Sequence, residues 1–210
     1  MRGELPTRDN MLRFVDILHT DGMRNCAEVA QRWVNNARAS RDADEQERLA
    51  WGALRYTSFC VDAYLILADK AATHEDAVTI YRRGVDAAEM MLGRDVFNKK
   101  RGEFWWLPET RPYMQARAGL ADALWQAGHQ EEALFHYREL LELDPHDNQC
   151  LRREYGACLK ERGDIHELNA LIDRFSRDKH LAAHRPSVKD LNRIPGAWVP
   201  PSERMQSRAM

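Results

Sequence analysis

Two consecutive segments of the chain share one pattern of apolar, small and turn residues. An internal repeat limits the possible folds more than any other sequence feature. The first segment runs from Arg111 to Asn148, and the second follows with a shift of 35 residues, as the pair Gly128 and Gly163 shows. Seven positions correspond in register: Leu120, Ala121, Leu124, Gly128, Ala133, Tyr137 and Leu140 match Tyr155, Gly156, Leu159, Gly163, Leu168, Ile172 and Phe175. We therefore expect two copies of one structural unit.

The first segment is expected to form two antiparallel helices joined by a tight turn. Apolar residues recur at helical spacing in each half of it. Glycine favours the left-handed conformation that ends many helices, and proline cannot continue one. Gly128 is therefore predicted to separate the two helices, and Asp144-Pro145 to end the second. The small side chains of Ala121 and Ala133 would let the helices approach closely.

The segment ARAGLADALWQAGHQEEALFHYRELLELDPHDN resembles a tetratricopeptide repeat (TPR), a helix–turn–helix unit of 34 residues. The segment LRREYGACLKERGDIHELNALIDRF resembles the same repeat as a weaker copy. Both copies depart from the family pattern at one position, because Arg117 and Arg152 stand where the family usually has a large apolar residue. The resemblance implies stacked helix pairs in a right-handed superhelical array with a groove.

Earlier copies of the repeat are more degenerate. The segment VDAYLILADKAATHEDAVTIYRRGVDAAEMML is repeat-like, although its turn is about three residues short of the family pattern. Glu45–Tyr56 is expected to be another second helix, broken near Thr57–Phe59. Met11–Ala39 would supply two amphipathic helices around Gly22. The apolar set of these two helices would be Phe14, Leu18, Val29, Trp33 and Val34.

Together these units predict an all-α fold, a TPR-like α-solenoid of antiparallel helix pairs with about eight helices. Residues 1–184 would form a single array. The repeat-like units would cover residues 11–39, 45–56 with 57–91, 112–147 and 148–176, with an aromatic insertion at 92–111. Residues 185–210 form a proline-rich polar tail, which is expected to be extended or disordered.

The insertion concentrates aromatic and basic residues. Its aromatic residues are Phe97, Phe104, Trp105 and Trp106, and Tyr113 follows shortly after it. Its basic residues beside them are Lys99, Lys100, Arg101 and Arg111. One interpretation is a plug that packs over the joint between two helix pairs. The other is a recognition edge with Trp105, Trp106 and Arg111, because Trp, Tyr and Arg dominate binding hot spots. A nucleic-acid surface is disfavoured, since the net charge of the chain is −2.

A second candidate surface is the groove of the array, which the first helix of each pair would line. The predicted partner contacts there are Gln115, Asp122, Trp125, Gln126, Arg153 and Lys160. Ala118, Ala157 and Glu161 would line the same groove. Some family members hold a partner's C-terminal carboxylates with lysine, asparagine and arginine. The matching positions here are Ala118, Gly119, Asp122, Arg153 and Glu154. Of these only Arg153 is basic, so this binding mode is not predicted.

Composition disfavours several other classes of protein. No apolar stretch approaches the roughly 18 residues of a membrane span, and Met1–Asn10 lacks the apolar core of a signal peptide. A cytoplasmic protein without membrane contact is therefore expected. The chain carries no catalytic or cofactor motif, and His180 and His184 lack a third metal ligand, so no enzyme activity, cofactor or metal site is predicted. The four cysteines are expected to be reduced and buried: Cys26, Cys60, Cys150 and Cys158.

The segment FWWLPETRPYMQARAGLADALWQAG, with the proline-rich tail, is also similar to bacterial repeat proteins related to the suppressor-of-tumorigenicity-seven family. That resemblance implies a repeat scaffold and transfers no catalytic residue. The predicted function is a protein–protein interaction scaffold or adaptor that binds a partner peptide or helix in the TPR groove. The alternatives are an accessory or regulatory subunit of an enzyme, and a homodimer formed through Phe175 and Leu181 at an uncovered end of the array.

Overall fold

The computed structural model describes residues 3–14 and 20–176, and within these ranges the chain is helical without a β-strand. Nine α-helices follow one another there: α1 (Arg8–Leu12), α2 (Asp21–Ala39), α3 (Ala43–Tyr56), α4 (Val61–Ala68), α5 (His74–Lys99), α6 (Arg111–Gln126), α7 (Gln130–Leu143), α8 (Leu151–Arg162) and α9 (Ile165–Ser176). Two short 3-10 turns, Phe104–Trp106 and Pro108–Thr110, connect α5 to α6. The predicted all-α class is confirmed for this part of the chain.

Local sequence explains where several helices begin and end. α5 starts after Thr73, whose hydroxyl accepts a hydrogen bond from the backbone N–H of Asp76 at 3.1 Å. Gly128 and Gly163 adopt φ angles of 87° and 81° at the α6–α7 and α8–α9 turns. This left-handed conformation suits glycine, and it confirms both predicted turns. α7 ends before Pro145, as the sequence predicts.

Most helices pack against the next helix in the chain. α4 also packs against α2 and α6, so these three alternate helices are neighbours. α1 packs instead against α5, where Arg8 forms an ion pair of 2.6 Å with Asp86. Ala121 and Ala133 are fully buried, in agreement with the close α6–α7 contact that the sequence predicts.

α5 is longer than the repeat pattern predicts. It runs past Met91 to Lys99, with a break in helical geometry at Gly93, where φ is 69° and ψ is 162°. Such a conformation is accessible almost only to glycine, which explains the position of the break. Residues 92–99 of the predicted insertion therefore belong to this helix, and the segment outside regular α-helix shortens to residues 100–110.

Several apolar positions differ from expectation. Phe14 is 48% exposed, and Gly22 lies in the first turn of α2 rather than between two helices. Ile172 is 52% exposed, and Leu171 takes the buried position on α9 instead. α9 is the last described helix and packs mainly against α8, and two ion pairs also join it to α7. The predicted tail 185–210 lies outside the described residues, as do Leu18, His180, Leu181 and His184.

Candidate functional site

The structure places Gln115 inside the protein rather than in an open groove. Only 8% of its surface is exposed, and its side chain is engaged within the protein. The reason is that α6 is covered by α4, α5 and α7. Ala118, almost one turn further along α6, is fully buried for the same reason.

The other predicted groove residues lie at the surface. Asp122 and Trp125 are half-buried on α6, and the exposed ones are Gln126, Arg153 and Lys160. Burial and then the charge of Asp122 raise the pKa of the Tyr137 hydroxyl and of the Cys158 thiol. These five residues stay predicted partner contacts.

The aromatic residues of the insertion divide between core and surface. Phe104 is fully buried, and its ring centroid lies 5.1 Å from that of Phe97, as the plug interpretation expects. Trp105 is half-buried beneath the guanidinium of Arg111, which lies 5.5 Å from its ring centroid. Arg111 Nε also donates to the carbonyl of Trp105 at 2.9 Å. Trp106 is 60% exposed and is accessible to a partner.

A cleft of about 350 Å³ opens between α2 and α5, and we call it the methionine cleft after Met23 and Met91 on its walls. The start of α4, a helix of only eight residues, forms its base. α2 has 19 residues and α5 has 26, so both walls are longer than α4. Other apolar lining residues are Ala27, Phe59, Val61, Ala88, Leu92, Val96 and Pro112.

The methionine cleft is mainly apolar with an acidic edge. Its charged lining residues are Asp62 and Glu109. Asp62 accepts hydrogen bonds from Arg38 at 2.8 Å and from Gln31 at 3.3 Å, whereas Glu109 is exposed. Burial raises the pKa of the Cys60 thiol to about 12, so this cysteine stays protonated at neutral pH and is a poor nucleophile. The site suits an apolar group with a neighbouring positive charge.

A second cleft, of about 510 Å³, lies on the other side of α5, and we call it the arginine cleft. Leu92 and Val96 of α5 line the methionine cleft, and Gly93 and Phe97 line the arginine cleft. The charged residues of the arginine cleft are Arg8, Glu89, Arg94 and Arg117. Three arginines and one glutamate thus face this space, in contrast to the acidic edge of the first cleft.

Arg117 is 8% exposed, and its hydrogen bonds to described residues go to uncharged side chains. Its Nε donates to Nδ1 of His136 at 3.1 Å, and a terminal nitrogen donates to the hydroxyl of Tyr113. The guanidinium carbon lies 5.7 Å from the ring centroid of Tyr113 and 5.6 Å from that of Phe135. Burial raises the pKa of the Tyr113 hydroxyl, which therefore stays protonated at neutral pH. The hydrogen bonds of this buried cation thus go to neutral groups, and Glu89 is the carboxyl group that lines the same cleft.

His136 is expected to stay neutral well below its ordinary pKa. Burial, and then the charge of Arg117, lower its pKa from 6.5 to about 4, although Glu132 opposes the shift. This preference for the neutral form adds stability above pH 6.5, and the contribution is lost as pH falls through 6.5 towards 4. Between pH 7 and pH 5, the free energy of unfolding of the wild type should therefore fall by about 1–2 kcal/mol more than that of the His136→Gln variant, whose side chain does not titrate.

Denaturant unfolding of both proteins at the two pH values measures this difference. The NMR signal of the His136 ring should move only near pH 4. A transition between pH 6 and 7 would contradict the buried contact with Arg117.

The repeat pattern predicts neither cleft, although it contains a signal for each. The short turn of the upstream unit and the break near Thr57–Phe59 accompany the short helix α4 at the methionine cleft. Arg117 departs from the family pattern at the arginine cleft. Neither signal identifies the residues on the opposite wall, because those come from helices distant in sequence.

Comparison with known proteins supplies no relative for the chain. No family model, no curated protein and no solved structure matches it. Across residues 3–14 and 20–176, none of the helices combines the length and apolar character of a membrane span. The same ranges contain no group of three His, Cys, Asp or Glu side chains placed to hold a metal ion. Membership in the TPR family stays a prediction.

Proposed function

We propose that the chain is a protein-binding scaffold of the TPR-like α-solenoid type, with a cytoplasmic location. Its methionine cleft would hold an apolar segment of a partner protein that also carries a positive charge. The observation that carries this proposal is an open, mainly apolar cleft with a methionine on each wall. Methionine adapts its shape to different apolar groups and is frequent at surfaces that bind varied partners.

The contacts among the helices support the array. α4 packs against α2 and α6 as well as against its neighbours in sequence. In a helical repeat array each unit contacts only the adjacent units, and the first helices of successive units lie next to one another. The relation among α2, α4 and α6 is consistent with this arrangement.

Exposure and charge favour an amphipathic peptide or helix as the occupant. Met91 is 46% exposed, and covering it would contribute hydrophobic free energy. Glu109 at the edge of the cleft is exposed and would attract a lysine or arginine next to the apolar anchor, whereas Asp62 is already paired with Arg38. A partner helix that presents apolar side chains on one face and a basic residue beside them satisfies both requirements.

A peptide of about 18 residues tests this proposal, with leucines on one helical face and alanine and lysine elsewhere. We expect saturable binding to the wild-type chain by fluorescence anisotropy. Met91→Lys should weaken binding by about tenfold or more, because it places a charge in the apolar wall and repels the lysines of the peptide. Ile172→Lys is the matched control, since Ile172 has a similar exposure of 52% but lies on α9. Its affinity for the peptide should be unchanged.

Two results would contradict the proposal. One is peptide binding that Met91→Lys leaves intact. The other is equal affinity for a peptide with glutamate in place of lysine, which would remove the role of the acidic edge. The alternative of self-association through Phe175 and Leu181 predicts a dimer in sedimentation equilibrium. Phe175 is half-buried, whereas Ile165 and Ile172 on the same helix are 55% and 52% exposed, so Ile172→Lys should dissociate such a dimer.

A further inference from the structure

The arginine cleft has an electrostatic imbalance that is independent of the methionine cleft and its peptide. A buried cation usually lies beside an anion, because removing a charge from water without a partner is strongly unfavourable. Arg117 forms no ion pair with a described residue, and its hydrogen bonds go to the neutral side chains of Tyr113 and His136. Its second terminal nitrogen, Nη2, has no hydrogen bond to the described part of the chain.

The neighbouring carboxylates do not remove this imbalance. Asp86 is bonded to Arg8 at 2.6 Å and to Arg83 at 3.4 Å. Glu89 lines the cleft with Arg117, but burial raises the pKa of its carboxyl group, and the charge of Arg117 only opposes that shift. Asp86 and Glu89 are therefore fewer than the arginines around them, which are Arg8, Arg83, Arg94 and Arg117.

We propose that the arginine cleft binds a small organic anion, consisting of a carboxylate or phosphate group on an apolar body. The anionic group would bond the guanidinium of Arg117, whose planar shape matches two oxygens of either group. Tyr113 and His136 already hold this guanidinium by hydrogen bonds, so binding immobilises little additional side chain. Arg94, exposed on α5, adds a second positive charge to the lining.

The rest of the cleft accounts for the apolar body. Leu12, Met90 and Phe97 supply its apolar walls, and Leu12 is 51% exposed. A volume of about 510 Å³ lies within the range of small-molecule sites. An inorganic anion would leave these walls in contact with water, whereas an aromatic or branched aliphatic acid would cover them.

Substitution of Glu89 gives a result that separates anion binding by Arg117 from a merely structural role of this arginine. Its carboxylate attracts Arg117 and repels an incoming anion, so it competes with the ligand. Glu89→Gln removes the charge and keeps the shape of the side chain. The variant should therefore bind the anion more tightly than the wild type, and a misfolded protein would not show such a gain.

Isothermal titration at low ionic strength tests the site with benzoate and phenyl phosphate, and with benzyl alcohol as the uncharged control. The wild type should bind at least one of the two anions more tightly than benzyl alcohol. Arg117→Met, which keeps the length of the side chain, should weaken anion binding by roughly tenfold to a hundredfold. Glu89→Gln should strengthen it several-fold. Arg94→Gln alters an exposed residue and should weaken binding without disturbing the core.

Three results would overturn the proposal. The first is the absence of binding for both anions. The second is an affinity that all three variants leave unchanged. The third is binding of benzyl alcohol as tight as that of benzoate. A preference for benzoate would assign carboxylic acids as the ligand class, and a preference for phenyl phosphate would assign phosphate monoesters, and either supports the site.

Discussion

Replacing Phe104 by alanine is expected to lower the free energy of unfolding by about 3–5 kcal/mol. Phe104 is fully buried, and its ring centroid lies 5.1 Å from that of Phe97 on α5 and 5.9 Å from that of Tyr113 on α6. The substitution leaves a cavity beside these two rings, which also contact each other, and a close-packed interior relaxes only partly into such a space. Urea unfolding followed by circular dichroism measures the loss.

Trp106→Ala is the matched control for this experiment. Trp106 lies two residues after Phe104 in the same 3-10 turn, but it is 60% exposed. Its removal should change the free energy of unfolding by no more than about 0.5 kcal/mol. Similar losses in the two variants would contradict the division of this segment into a buried plug and an exposed edge.

A second large effect is expected at Gly119, where α6 packs closely on α5. An alanine Cβ at this position would lie 2.3 Å from a ring carbon of Tyr81. Tyr81 has little room to move, because it is 3% exposed and its hydroxyl donates to Asp69 at 2.9 Å. We expect Gly119→Ala to lower the free energy of unfolding by about 1–3 kcal/mol. This loss would occur although alanine is favoured over glycine by about 1 kcal/mol in helices.

Gly22→Ala separates the steric effect from helix propensity. Gly22 also lies in a helix, α2, but no heavy atom lies within 4 Å of the position that its Cβ would take. The free energy of unfolding should stay unchanged or rise by up to about 1 kcal/mol. Urea unfolding of the two variants under identical conditions gives the comparison, and a gain in both would contradict the close contact of α6 with Tyr81.

The sequence by itself determined the class of the fold and its clearest turns. Gly128, Gly163 and Pro145 act on their own backbone, so their effect does not depend on the rest of the molecule. Helical periodicity also predicts the burial of Ala121 and Ala133, because it shows which residues share a face. It fails for Ile172, because the contacts of α9 with α8 and α7 leave Leu171 rather than Ile172 in the buried position.

The tertiary structure alone decided the candidate sites. The methionine cleft is formed by α2, α5 and the start of α4, which come from separate parts of the sequence, so the pattern within one helix does not reveal it. In the arginine cleft, Arg117 of α6 meets Glu89 of α5 and His136 of α7, whereas the sequence shows only that Arg117 departs from the repeat pattern. The repeat pattern places Gln115 on the correct helix but predicts an open surface where other helices cover it. A periodic pattern specifies which residues share a face, but how helices of unequal length stack decides what lies opposite that face.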